Sequence, residues 1–375
     1  MLRHLKGLFG DAAIERRAQS YRDPIQRLRY LRRAAAAQQH PLRRKWIACV
    51  ALTLGIINLR SDAINRGSPR RRTRAAAAAG GVFEVPNVWL AEQTDAYDLY
   101  SNGLRIENRL AISNEPRSYH PIERGSGLLG PLRTQPAGIV FHTTEGDEAP
   151  FAPEHKQALK RIGQALLEYV RSQRAYHFVI DRFGRVHRIV VESDAANHAG
   201  SSVWADAQWS YVGLNASFLG VAFEARMQDQ PPITEAQLRA GKALTEMLRS
   251  KYNLPAEDCI THAQVSINPS NMQIGYHTDW GAEFPFRQMG LPNNYQVPSP
   301  SLYLFGFEYD PAFTHSTGSD LWIGLSLAEE NVGRAAAARG VTPAEYRKIL
   351  QQRFRDVQSA LQNESAEEEN PHESN

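Results

Sequence analysis

At 375 residues, 42% hydrophobic and 22% charged, the chain has material for one large domain or two, each with a full core. Two cysteines, Cys49 and Cys259, exclude a disulfide framework and a cysteine-rich zinc module. The net charge of +3 conceals an asymmetry: residues 1–45 carry twelve Lys or Arg against three acids, whereas the final NESAEEENPHESN is acidic.

Residues 1–45 read as a basic, Ala-rich helical arm, and no base-reading motif stands behind it to support a nucleic-acid partner. Next comes Trp46–Leu59, WIACVALTLGIINL, fourteen residues without a charge. A spanning helix needs about 17–25 apolar residues, so the run is short for one. Its length and basic approach suit a signal-peptide core or a short membrane anchor; a buried amphipathic helix is the other reading. The positive-inside rule places residues 1–45 in the cytoplasm, while arginines from Arg60 to Arg74 on the exit side oppose that orientation. Residues 60–81, ending in SPRRRTRAAAAAGG, form a linker.

Over 82–131 short apolar pieces broken by turn residues predict a small β-rich segment to which no chemistry attaches, either a module of its own or an N-terminal elaboration of the domain that follows. GIVFH then reads as a buried strand ending at His142 and opening into polar TTEGDEAP. A histidine there is either a site residue or a hydrogen-bonded core histidine. PEHKQALKRIGQALLEYVRS has apolar residues at 158, 159, 162, 166, 169 and 170, one face of a helix. AYHFVID, the turn Arg182-Phe183-Gly184 and RVHRIVV make two strands. ESDAANHAGSSVWADAQWS, with His198, Trp204 and Trp209, reads as a loop, and LGVAFEA as a buried strand with Glu224 at its end. Thr234 and Gln237 form a capping box for the helix through LRAGKALTEMLRSKY, which delivers the chain to His262. Strands alternating with helices predict an α/β domain: a central mixed β-sheet flanked by helices, with N-terminal and C-terminal extensions.

Cys259–Phe286 holds His262, His277 and Asp279 among turn-forming residues. Imidazole and carboxylate bind catalytic zinc, which takes three protein ligands and keeps a position open. His262 and Asp279 lie too far apart for one helical turn, so a loop has to bring them together. These histidines are surface residues or metal ligands, and a ligand from an upstream strand end decides for the second. Residues 291–362 form a mostly helical extension: SLYLFGFEYDPAF offers one or two strands, and two helices follow. In the second helix Tyr346, Ile349, Leu350, Phe354, Val357 and Leu361 share a side. Residues 363–375 read as a disordered acidic tail.

GIVFHTTEG, YHFVIDRFGRVHRIV, NHAGSS, LGVAFE and TH…YHTDWGAEFPF, in this order, resemble the zinc-dependent N-acetylmuramoyl-L-alanine amidases of the peptidoglycan-recognition-protein fold, over residues 132–290. The resemblance implies Zn2+ held by His142, His262 and Asp279, where the metal acidifies a water and polarises the carbonyl under attack. One branch of that family takes its acid–base glutamate from the strand reading GVAFE; this sequence has Ala222 at the matching position, leaving Glu224 as a reserve. The other branch uses the tyrosine of a YHF motif, here Tyr176. His277 stands where relatives carry a lysine that stabilises the oxyanion, and an exchange of roles between His277 and Asp279 stays open. His198 and Trp204 fall where relatives line the groove for sugar and peptide stem; burial in the core is the other reading of Trp204 and Trp209. His177 and His187 read as sheet residues. The implied activity is cleavage of the amide between the lactyl group of N-acetylmuramic acid and L-alanine, by an exported, periplasmic or membrane-anchored enzyme acting on peptidoglycan or muropeptides. A role in recycling inside the cytoplasm is the other location. A non-catalytic wall sensor and a zinc hydrolase of another amide are the rivals.

Overall fold

The computed structural model describes residues 83–229, 232–310, 313 and 317–369, and all of its elements lie there. Trp46–Leu59, the basic arm and the linker fall outside them. In chain order the strands are β1 Leu90–Gln93, β2 Tyr97–Tyr100, β3 Arg105–Glu107, β4 Ile122–Glu123, β5 Gly138–Thr143, β6 Phe178–Ile180, β7 Val186–Arg188, β8 Val203–Ala205, β9 Trp209–Val212, β10 Phe218–Phe223, β11 Cys259–Thr261, β12 Ile267–Asn268 and β13 Gln273–Ile274. The α-helices are α1 Lys156–Ser172, α2 Leu214–Ser217, α3 Glu235–Tyr252, α4 His262–Val265, α5 Pro300–Phe305, α6 Ser319–Ala338 and α7 Pro343–Glu369. Among the described residues, no helix is long and apolar enough to cross a membrane.

Eight strands form one mixed sheet in the order β1-β2-β3-β7-β6-β10-β5-β11. β6, β10, β5 and β11 run parallel, and all six residues of β5 and of β10 are buried. A parallel strand covered on both faces needs apolar residues throughout, and GIVFHT and FLGVAF supply them with His142 and Thr143 as the polar exceptions. Ile139, Phe141, Leu219, Val221 and Phe223 pack against Leu244, Met247 and Leu248 of α3. On the other face Val179 and Ala222 meet Leu167 and Val170 of α1. Alternation along β5 puts His142 on the face of Val140, away from α3.

The predicted capping box is formed: Gln237 N donates to Thr234 Oγ1 at 3.1 Å, and Thr234 N to Gln237 Oε1 at 3.0 Å. Of the two readings of 82–131, the elaboration of the following domain is the one formed, because β3 pairs with β7 and extends the central sheet. The loop expected around Trp204 contains the hairpin β8–β9. Its turn is closed by Asp206, whose Oδ1 accepts from Gln208 N and Trp209 N at 2.7 Å each, a side-chain turn that no glycine announces. SLYLF, where strands were expected, lies in the helix α5 instead: Pro300 starts it, and Gly306 ends it in the left-handed conformation (φ 69°).

α6 and α7 pack onto the domain. Gly324 of α6 approaches the carbonyls of Tyr295 and Val297 so closely that a Cβ would lie 2.4 and 2.5 Å from them. Phe354 of α7 meets Phe305 and Phe307 edge-on. Of the side predicted for α7, Tyr346, Leu350, Phe354 and Val357 are buried, whereas Ile349 is 53% exposed. The helix also continues to Glu369, past residue 363, where the sequence places the start of a disordered tail. An acidic composition does not end a helix, since glutamate is a good helix former.

Candidate metal centre

β5 and β11 are parallel neighbours with Phe141 opposite Thr261. The residue after each of these is a histidine, so the register brings His142 and His262 level at the carboxyl edge of the sheet, the side on which open α/β sheets bind their ligands. Their ring centroids are 4.5 Å apart. Thr261 and Gln264 form a capping box that opens α4 and fixes His262 at its first position.

Asp279 arrives on the loop that follows β13. Its Oδ2 lies 3.1 Å from Nδ1 of His142 and its Oδ1 2.9 Å from Nδ1 of His262. The next residue, Trp280, is fully buried, and the Tyr295 hydroxyl donates to its carbonyl at 2.6 Å. That buried indole anchors the aspartate. His142, His262 and Asp279 form a group that could hold a metal ion, with one ligand atom from each inside 4.8 Å of the others. Tertiary contact thus supplies the upstream ligand position that makes His262 and Asp279 more than surface residues.

The donor set suits a cation, as proton accounting shows. Nε2 of His198 lies 3.2 Å from the Phe218 carbonyl, an acceptor only, so that nitrogen carries the proton. Burial first, then His142 and His177, hold the His198 pKa well below its ordinary value, so the ring is neutral and its Nδ1 accepts. Nδ1 of His198 lies 3.2 Å from Nε2 of His142, which must therefore donate. Burial and the neighbouring His262 lower the His142 pKa to about 4. A neutral His142 then turns the lone pair of Nδ1 toward a carboxylate oxygen. Burial opposes the charge on Asp279, but His262 and His142 hold its carboxyl well below the usual carboxylate range. A lone pair facing a carboxylate at 3.1 Å is unfavourable without a cation between them.

Tyr176 lies outside the strand expected for AYHFVID, since β6 begins at Phe178. It has φ 62°, a left-handed backbone that is an outlier for a bulky residue and costs on the order of 1–3 kcal/mol. The turn is held by Ala175 N on the Val170 carbonyl at 3.0 Å and His177 N on the Gly220 carbonyl at 2.9 Å. In this conformation the Tyr176 ring stands 5.0 Å from that of His142. Burial, then Asp279, raises the phenol pKa, so the hydroxyl keeps its proton.

His277 is not part of the three-residue group. Its ring stacks on His262, centroids 4.7 Å apart and planes 20° off parallel, and its backbone N donates to Ser266 Oγ at 3.0 Å. Glu224 is buried and turned to other work: Oε2 accepts from Arg182 N at 3.1 Å, and its carboxylate lies against Gly163 of α1. Ala222, where one branch of relatives has glutamate, pairs with His142 itself.

Of the two readings of Trp204, burial in the core is the one formed, and the groove position expected for His198 is corrected. Trp204 is 1% exposed and its indole donates to Asp258 Oδ1 at 2.8 Å, so it has no face left for a sugar. His198 is buried behind His142, tied to it and to Phe218 rather than lining a groove. Its position after a loop rich in small residues gave no sign of this, because its partners come from β5 and β10. His177 and His187 are sheet-region residues, as read: His177 Nδ1 accepts from Gly220 N at 2.9 Å, and His187 contacts Asp181 at 3.2 Å.

Residues 132–282 match the family model described as N-acetylmuramoyl-L-alanine amidase. No curated protein matches the sequence. Among solved structures, the N-acetylmuramoyl-L-alanine amidase LysC from Clostridium intestinale URNW is similar at 21% identity, over 49% of this chain and 93% of that one, with a TM-score of 0.28. The N-acetylmuramyl-L-alanine amidase AmiD from E. coli, in complex with the substrate anhydro-N-acetylmuramic acid-L-Ala-D-gamma-Glu-L-Lys, is 21% identical over 45% of this chain and 64% of that one (TM-score 0.31). Drosophila peptidoglycan recognition protein SD is 18% identical over 42% and 84%, with a TM-score of 0.27. The stretch from 132 to 282, with His142, His262 and Asp279 inside it, is a domain of the N-acetylmuramoyl-L-alanine amidase family.

Proposed function

We propose that this chain is a zinc-dependent amidase that hydrolyses the bond between the lactyl carbonyl of N-acetylmuramic acid and the nitrogen of L-alanine in peptidoglycan or muropeptides. The observation that carries the reading is the convergence of two imidazole Nδ1 atoms on one carboxylate, inside a domain of this family. His142, His262 and Asp279 would hold the ion, and three ligands leave a catalytic zinc an open position. Bound there, zinc supplies Lewis-acid polarisation of the carbonyl and a water acidic near neutral pH.

The other residues serve the same amide. Tyr176 presents a protonated phenol beside His142. In that state it orients the carbonyl or the water by hydrogen bonding and gives a proton more readily than it takes one. His277, flat against His262, offers an imidazole N–H to charge developing on the carbonyl oxygen. Water adds its hydroxyl to the carbonyl carbon, the C–N bond breaks, and the alanine nitrogen leaves as an amine. Glu224 takes no part, because it is engaged with the backbone of Arg182.

The test is metal analysis of the purified protein together with mass spectrometry of a peptidoglycan digest. One zinc per chain and release of free stem peptides starting with L-alanine support the reading. Tight binding of zinc and muropeptide with no peptide released would leave a wall sensor in its place.

A further inference from the structure

The loop between β7 and β8 carries the sequence Asn197-His198-Ala199-Gly200 and has no regular secondary structure. Three successive backbone amides in it converge on one atom. Oδ1 of Asn215 accepts from His198 N at 3.0 Å, Ala199 N at 2.7 Å and Gly200 N at 3.3 Å. Gly200, at φ 52°, supplies the left-handed backbone that curls the third amide round to that oxygen.

Two of those residues each touch a different candidate ligand. His198 Nδ1 meets His142 Nε2 at 3.2 Å, and the Ala199 carbonyl lies 3.4 Å from Nε2 of His262. In both contacts the ring nitrogen facing the loop is the one turned away from Asp279. The loop therefore meets both imidazoles at once, each on the ring nitrogen that does not face Asp279. The sheet makes room for this: a Cβ on Gly220 would lie 2.5 Å from Cγ of His198.

Asn215 is itself well placed to hold the loop still. Beside it in α2, Leu214 N donates to Ser202 Oγ at 2.9 Å. Behind it, the buried guanidinium of Arg117 bonds the carbonyls of Ala216 and Phe218.

We propose that Asn215 is a positioning residue of the metal centre, setting His142 through the His198 side chain and His262 through the Ala199 carbonyl. The proposal rests on the reading of those histidines as zinc ligands. Groups that orient metal-bound imidazoles typically govern metal affinity by 10–100-fold. Here a single side-chain oxygen one step further out controls two of them together. Removing it leaves three amides without an acceptor and frees the loop to shift away from both rings.

The experiment measures zinc affinity of the full chain by competition with a chelator, at a temperature where every variant is folded. Asn215→Ala is expected to bind zinc about 10–100-fold more weakly. Asn215→Asp keeps an acceptor at that place and is expected to stay near wild type. In the Co2+-loaded proteins, Asn215→Ala should shift the visible ligand-field bands, and Asn215→Asp should not. Val332→Ala, which destabilises the α6–α7 packing far from the loop, controls for stability alone and should change neither readout. If Asn215→Ala does not fold, Asn215→Ser, whose hydroxyl sits further back, carries the same comparison. Wild-type affinity and an unshifted spectrum in the Ala or Ser variant would overturn the proposal while leaving the ligand assignment standing. A wild-type protein that takes up no zinc would overturn both.

Discussion

His277 lies flat on His262, with ring centroids 4.7 Å apart, while Asp279 two residues later contacts both His142 and His262. Under the proposed function, Asp279 is the ligand of the two and His277 the group that acts on the substrate. His277→Ala should retain a full zinc equivalent and bind muropeptide almost as before, since an oxyanion contact forms mainly in the transition state. Its turnover should fall by roughly 10²–10³. Metal loss in His277→Ala, with retention in Asp279→Ala, would exchange the two roles.

Removing a ligand should act on the metal itself. His142→Ala, His262→Ala and Asp279→Ala are each expected to lose stoichiometric zinc and all measurable peptide release. Elemental analysis decides the matter: one zinc per chain in His142→Ala would remove that residue from the ligand set.

Tyr176 and Glu224 are told apart by conservative changes. Tyr176→Phe deletes a hydroxyl next to His142 and should lower turnover by about 10²–10⁴ with zinc retained. Glu224→Gln keeps an acceptor for Arg182 N and should leave turnover roughly unchanged. A large loss in Glu224→Gln with Tyr176→Phe fully active would reverse the assignment.

Burial raises the carboxyl pKa of Asp258, whose Oδ1 accepts from Trp204, to about 7. Its folded value lies above its unfolded one, near 4. Between those values the folded state holds a proton that the unfolded state has released. The stability from this group is therefore complete below about pH 4 and is lost as pH rises through about 7. Asp258→Asn keeps the acceptor and cannot ionise. Denaturation of the metal-free proteins should show no advantage for the variant at pH 4 and a growing one up to pH 8. A constant difference across that range would place the ionisation elsewhere.

Export is tested outside the described residues. With Trp46–Leu59 as signal or anchor, reporters fused after Gly81 should be active beyond the cytoplasm. Activity confined to the cytoplasm would assign the protein to recycling of muropeptides.

The order of elements, the capping box at Thr234 and the strand carrying His142 were legible in the sequence because each depends on local pattern: alternation, helical period, a polar residue at a fixed offset. The candidate ligands were legible through the family resemblance, not through spacing, since α4, the β12–β13 pair and a further loop separate Asp279 from His262. What tertiary structure alone decided is which side chains the donors and acceptors face. The Asp206 turn made a hairpin where the composition indicated a loop, and Pro300 with Gly306 made a helix where apolar residues indicated strands. Trp204 went into the core because Asp258 waits there for its indole, and His198 went behind His142 because Gly220 leaves the space. Asn215 carries no signal at all in one dimension. Its role exists only because α2 stands opposite a loop formed earlier in the chain, and hydrogen-bond partners distant in sequence are chosen by packing, not by period.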